Sequence, residues 1–312
     1  MNAICLQPVF KSIVWGGNRL KTDYGFRSDL SNIAEAWMLC AREDGDNLVQ
    51  GGEFDGQPLS AVLKRHPEYL GAKAEGAAEF PLLIKFIDAK TDLSVQVHPD
   101  DAYARAVENA SGKTEAWYIL DCDEGASLIY GFNKTLTKDE FRRSIHDNSF
   151  LEHVNKVPVH KGDVFFISAG TLHAIGGGIL LAEVQQNCNT TYRVYDYNRL
   201  VNGKPRELHV DKAVDVTVTA PPESRPEVFT TPFGRGLCRC RYFTMSELTV
   251  TDEKQFDVGG DSFVSVLVLE GEGTLDVGGE ALTLKAGASI FLPAGIGTAV
   301  CRGTYRALIS TL

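Results

Sequence analysis

No stretch of this 312-residue chain approaches the roughly 18 consecutive apolar residues that a membrane-spanning helix needs. Its opening segment, MNAICLQPVFKSIVWGG, also lacks a basic start followed by a small-residue cleavage site, which predicts a cytoplasmic protein. Positive charge is in deficit: 31 Lys and Arg face 41 Asp and Glu, a formal net charge of −10. That balance argues against nucleic acid or an anionic membrane surface as a partner. A substrate that is itself an anion would need a site that concentrates cations locally. The cysteines form no framework. The seven (Cys5, Cys40, Cys122, Cys188, Cys238, Cys240 and Cys301) are odd in number, scattered and nowhere at zinc-ribbon spacing, as expected of reduced structural thiols. Composition is otherwise that of an ordinary soluble globular protein, 44% hydrophobic and 23% charged, long enough for one large domain or two ordinary ones.

The stretch Leu93–Asp101, LSVQVHPDD, organises the reading of what is present. Leu93, Val95 and Val97 alternate with Ser94, Gln96 and His98, the period of a strand with two unlike faces. Gln96 and His98 then share a face about 7 Å apart. Pro99 stops the ladder, and Asp100-Asp101 are suited to cap the helical run AYARAVENA. Upstream, Gly16-Gly17 mark a tight backbone position, and residues 58–71 read as a helix interrupted by Pro67. FPLLIKFIDA is a strand whose one charge, Lys85, either lies at a sheet edge or points into a cavity. TEAWYILDCDEGASLIYGF gives two strands across a Gly turn. Residues 135–155 are the longest helical stretch, with Thr137 and Glu140 forming a capping box; His146 and His153 within it read as surface or packing residues.

Strands return in HKGDVFFISAGTLHAIGGGILLAEVQQN and TTYRVYDYNR, PRELHVDKAVDV is a short helical link, and TAPPESRP is the best linker candidate. Beyond about residue 225, short strands between Gly turns predict a β-sandwich or jelly roll. HKGDVFFISAGTLHAIGG and LKAGASIFLPAGIGTAVCRG align as an internal duplication, with His173 in the first copy where the second has Thr298 or a neighbour.

Within a jelly roll, residues distant in sequence converge. Gln96 and His98 on one strand, Glu115 at the head of another and His173 after a glycine bend then make an N₂O₂ set. Such a set suits zinc or a similar divalent metal with one position left open. Lys85, Lys113 and Arg193 lie around it, three cations that suggest an anionic substrate such as a phosphorylated small molecule.

These motifs carry a family resemblance. KFIDAKTDLSVQVHPDD, GKTEAWYIL, ISAGTLHAIG, QQNCNTTYRVYDYNR and RELHVDKAVDV, in this order, resemble the type I mannose-6-phosphate isomerases, and among them the short bacterial branch of the cupin superfamily. The match runs from VWGG to about residue 216; the last ninety residues match only as a second, metal-free cupin. The resemblance implies a mainly β protein of two cupin-type jelly-roll sandwiches. Residues 1–218 would form the catalytic metal-binding domain, with a helical insertion near 135–155, and residues 225–312 a C-terminal metal-free domain. It implies one Zn²⁺ per chain on Gln96, His98, Glu115 and His173. Arg193 and Lys113 would be catalytic, and Lys85, Lys113, Arg193 and Asn189 would contact the substrate. The implied reaction interconverts mannose 6-phosphate and fructose 6-phosphate through a cis-enediol, in a monomer or homodimer. Lys113 could transfer protons there if burial and cationic neighbours lowered its pKa. Two positions depart from the family pattern: Cys188-Asn189 stand where Ser-Asp is usual, and Gly112 stands where longer members carry a histidine. The rival readings are a non-catalytic metal-containing cupin that binds sugars or sugar phosphates, a cupin oxygenase or epimerase, and a storage-type cupin.

Overall fold

The computed structural model describes residues 1–147, 149–222 and 226–312. It is mainly β, and two sheets of the N-terminal part face one another. One runs in the order Val164–Ile167, Glu115–Cys122, Ile179–Gln186, Leu82–Ala89, Glu35–Leu39, Val9–Lys11. The other runs Val154–Pro158, Ser127–Phe132, His173–Ile175, Val95–Val97, Tyr192–Tyr195. Every pairing is antiparallel, so each strand sends alternate side chains to opposite faces.

In the two central strands, Leu82–Ala89 and Ile179–Gln186, all eight residues are buried, because both faces of their sheet are covered. Ile87, Trp117, Phe165 and Leu181 pack between the two sheets. Phe86, Tyr118 and Ala182 point the other way, into a core shared with Phe263, Phe291 and Leu308 of the C-terminal part. Lys85 is therefore central rather than at an edge. Its partners are Glu183 on one side and Trp37 on the other, and its side chain enters the space between the sheets.

The C-terminal part is a second jelly roll, dominated by the long strands Val264–Val277 and Gly297–Thr311. Its interior is apolar, filled by residues such as Leu248, Val266, Leu275 and Ile290. Thr298, the expected counterpart of His173, is exposed and donates to Asp257 Oδ1 at 2.6 Å. The first strand of the chain, Ile4–Gln7, pairs with Ser289–Leu292 of this sheet, so the N-terminal end crosses the division expected at residues 218–225. Of the expected linker, residues 219–226, Glu223–Arg225 lie outside the described residues.

The helices follow their caps. Asp100 caps Asp101–Glu108 by accepting from Tyr103 N, and Thr137 with Glu140 closes the expected capping box on Lys138–His146. Pro67 divides residues 58–71 into the helix Leu59–Arg65 and a single 3₁₀ turn. The expected helix over 135–155 is overextended. A 3₁₀ turn occupies Phe150–Glu152, and Val154 already begins a strand, because the edge of Ser127–Phe132 offers Val154 and Val157 a ladder. Asn148, inside that expected helix, lies outside the described residues.

Phe263 is fully buried and stacks on Phe291 with ring centroids 5.0 Å apart, at the seam between the two jelly rolls. Phe263→Ala should cost roughly 3–5 kcal/mol in urea unfolding. A loss below about 1 kcal/mol would show that this seam bears little of the stability.

Candidate metal centre and surrounding cavity

The two facing sheets bring the metal-capable residues together at one point. His173 is in register with Gln96 on the five-stranded sheet, and Glu115 reaches across from the six-stranded one. His98 follows the short strand Val95–Val97 by one residue. His98, Glu115 and His173 are all buried, and ligand atoms from the three lie within 4.8 Å of one another; this is the one such group among the described residues. His173 Nε2 is 3.3 Å from Glu115 Oε1, and His98 Nε2 is 3.7 Å from Glu115 Oε2.

Both imidazoles are oriented from behind. His98 Nδ1 donates to Thr190 O at 2.8 Å and His173 Nδ1 to Thr171 O at 2.9 Å. Each bond fixes the tautomer that leaves Nε2 as a bare lone pair. Burial holds His98 well below the usual imidazole range, and Lys113 and His173 push the same way. Burial takes His173 down to about 4. Both rings are therefore neutral, the state a metal ligand requires.

These donors fit a divalent cation. His98 Nε2 and Glu115 Oε1 are buried without a hydrogen-bond partner, an arrangement too costly to persist without a compensating charge. The Gln96 amide lies 3.3 Å from His173 Nε2, and turning it about its last bond would present its oxygen to the same point. Two imidazoles, a carboxylate and an amide oxygen form a mixed N and O set suited to zinc.

Beside this set opens a cavity of about 570 Å³. Lys85, Lys113, Arg193 and Asn189 all line it, together with residues for which sequence reasoning assigned no role, among them Glu35, Trp37, Glu183 and Arg206. Glu183 could have been found, since it interrupts the apolar run ILLAEV just as Lys85 interrupts LLIKFI. Its Oε2 accepts from Trp117 Nε1 at 2.8 Å, and its Oε1 lies 3.2 Å from Lys85 Nζ, which also sits 3.7 Å from Glu35. Burial alone would raise the Glu183 carboxyl, but Lys113, Lys85 and the Trp117 bond hold it well below the usual carboxylate range.

Lys113 differs from expectation. Its ammonium lies 2.7 Å from Glu115 Oε2, and its neighbours are carboxylates rather than cations. Burial works to lower its pKa, but Glu115 and Glu183 outweigh it and hold the ammonium above the usual lysine range.

The two departures from the family pattern have local reasons. A Cβ on Gly112 would lie 2.5 Å from the backbone of Asp100 and of Asp101, so no side chain fits there. Asn189 Nδ2 donates to Asp44 Oδ2 at 2.8 Å, where an aspartate would set two carboxylates against each other.

Among the described residues, none of the C-terminal jelly roll lines the cavity; that unit braces the turn that bears Lys113. Tyr242 Oη donates to Asp101 Oδ2 at 2.9 Å, and Asp101 Oδ1 accepts from Gly112 N at 2.9 Å and Gln186 Nε2 at 3.2 Å. Gln186 Oε1 in turn accepts from Thr114 N at 2.9 Å, so the backbone is pinned on both sides of Lys113.

Comparison with known proteins agrees with this geometry. Residues 4–126 match the phosphomannose isomerase type I catalytic domain, and residues 236–312 the mannose-6-phosphate isomerase cupin domain. The mannose-6-phosphate isomerase ManA of Bacillus subtilis (strain 168) is 39% identical over 316 residues, 98% of each chain. The chain belongs to the type I phosphomannose isomerases. Within that family, a mannose-6-phosphate isomerase of Streptococcus mutans is 36% identical over 292 residues, 92% of this chain and 91% of its own. The crystal structure of the mannose 6-phosphate isomerase from Bacillus subtilis superposes with a TM-score of 0.93 at 34% identity, over 100% of both chains. A mannose 6-phosphate isomerase structure bound with zinc and yttrium shares the fold at 17% identity, with a TM-score of 0.81 over 99% of both chains. The enzyme is thus an aldose–ketose isomerase of two cupin-type units, and none of its helices is long and apolar enough to cross a membrane.

Gly112→His, which restores the side chain of longer family members, should lower turnover at least about tenfold, because its Cβ displaces the turn that carries Lys113. Steady-state kinetics of the folded variant check this. Unchanged turnover would show that the turn has room to give.

Proposed function

We propose that the enzyme interconverts mannose 6-phosphate and fructose 6-phosphate through a cis-enediol, with one Zn²⁺ held by Gln96, His98, Glu115 and His173. The observation that carries this reading is a buried, neutral pair of imidazoles with unprotonated Nε2 atoms facing a buried carboxylate, beside a cavity lined by lysine and arginine. A divalent cation on these residues supplies a Lewis acid that polarises sugar oxygens.

The chain's own residues supply the rest. The isomerisation needs the C2 proton removed and a proton delivered to C1 while negative charge develops on O1 and O2. Lys113, held protonated beside Glu115, is placed to donate to a sugar oxygen as that charge grows. It is the wrong charge to accept a proton. Among the carboxylates lining the cavity, Glu183 is held ionised by Lys113, Lys85 and Trp117, which makes it a weak base and an anchor for the lysines rather than the proton acceptor. Lys85 bridges Glu183 and Glu35 and so fixes the position of that carboxylate. Arg193 makes no ion pair among the described residues; Nε donates to Ser94 Oγ and Nη1 to Glu207 O, which orient the guanidinium and leave Nη2 to meet an oxyanion of the substrate. Asn189, at the rim beside Asp44, is a neutral donor for a sugar hydroxyl.

The test is isomerisation of mannose 6-phosphate by metal-analysed protein before and after chelation. About one zinc per chain, with turnover abolished by chelation and restored by zinc, is the expected result. In the same assay Arg193→Ala should lose at least about a hundredfold in kcat/KM, as for a donor aimed at developing charge. Full metal content with no turnover of mannose 6-phosphate would overturn the reading.

A further inference from the structure

Resting on that reading, we infer that Arg206, braced by the buried carboxylate of Asp196, recognises the substrate phosphate at the end of the cavity away from the metal ligands. Arg206 follows the hairpin formed by Leu200–Val201 and Lys204–Pro205, which folds the chain back over the strand Tyr192–Tyr195. Its guanidinium grips Asp196 with two bonds, Nε to Oδ2 at 2.7 Å and Nη2 to Oδ1 at 2.5 Å. Asp196 is only 5% exposed, so this fork is held at a fixed angle, and Nη1 remains free of protein partners among the described residues. Arg199 also approaches Asp196, at 3.8 Å, but lies outside the lining of the cavity that Arg206 and Arg193 share.

The charge and the distances both favour a phosphate here. Arg193 and Arg206 lie close enough that Arg206, after burial, is the main influence lowering the Arg193 pKa. Asp196 pairs with Arg206 and Arg199 and not with Arg193, so the two arginines that line the cavity keep a net positive charge that a dianion neutralises. The lysines that line the cavity are engaged elsewhere, Lys113 with Glu115, Lys85 with Glu183 and Glu35, and Lys11 with the Asp44 carbonyl.

Position along the strand gives the spacing. Ser94, Gln96 and His98 share one face, and Arg193 Nε donates to Ser94 Oγ at 3.3 Å. A two-residue step is about 7 Å, so Ser94, which the side chain of Arg193 reaches from its place in register with Gln96, lies about 7 Å from Gln96 and about 13 Å from His98 along the backbone. A six-carbon chain with C1 and C2 at the metal ligands would place a terminal phosphate in that interval.

The experiment compares metal-loaded wild type with Arg206→Gln, Arg206→Lys and Asp196→Asn, measuring KM and kcat for mannose 6-phosphate, inhibition by inorganic phosphate, and metal content. Arg206→Gln should raise KM and weaken phosphate inhibition by about tenfold or more, as expected for loss of a charged hydrogen bond, with a smaller fall in kcat and full metal content. Arg206→Lys keeps the charge without the fork and should fall between, and Asp196→Asn should shift both constants in the same direction. Wild-type KM and phosphate inhibition in Arg206→Gln would overturn the inference. So would loss of metal and kcat with phosphate inhibition intact, which marks Arg206 as a purely structural partner of Asp196. Failure of the proposed reaction shows differently, as metal-loaded wild type inert toward mannose 6-phosphate. Calorimetric titration of inorganic phosphate into the same variants then still decides the role of Arg206.

Discussion

A buried carboxylate facing two buried imidazoles is the constraint on which the rest of this structure depends. Glu115 is fully inaccessible, and its oxygens lie within 4 Å of His98, His173 and Lys113. Lys113 compensates one oxygen of this carboxylate, but His98 Nε2 and Glu115 Oε1 are left without partners in a medium of low dielectric, which costs several kcal/mol per unpaired group. A metal reverses the sign of that cost. A metal there would also tie the two sheets together, since Glu115 comes from one and the imidazoles from the other.

From this centre the architecture follows outward in layers. Alternation along the central strands sends Lys85 and Glu183 into the cavity and Phe86 and Val184 to the reverse face. That reverse face is closed by the C-terminal jelly roll, whose own interior is apolar. Its contribution to the site is indirect, through Tyr242 and Asp101, which hold the turn on either side of Lys113. One unit carries the candidate metal centre, and the other braces the turn beside it.

Much of this was legible in the sequence, for identifiable reasons. Gln96 and His98 were legible because a two-residue period in LSVQVHP puts them on one face whatever surrounds them. Lys85 and Glu183 each break an apolar run, a signal that served for the lysine and was available for the glutamate. Other features depend on contacts between distant segments. The acidic surroundings of Lys113 come from Glu115 and from Glu183, seventy residues away in sequence, and only the sheet order makes them neighbours. The strand Ile4–Gln7 pairs with residues near the far end of the chain, which no local pattern announces. Arg206 sits in PRELH, an ordinary polar stretch until the hairpin carries it against Asp196.

The central claim is tested most directly by anomalous diffraction from crystals of the zinc-loaded protein, recorded at the zinc edge. One peak within about 2.0–2.2 Å of His98 Nε2, His173 Nε2 and Glu115, with the Gln96 oxygen turned toward it, is the predicted result. Zinc bound elsewhere, with His98, Glu115 and His173 free of metal, would contradict it.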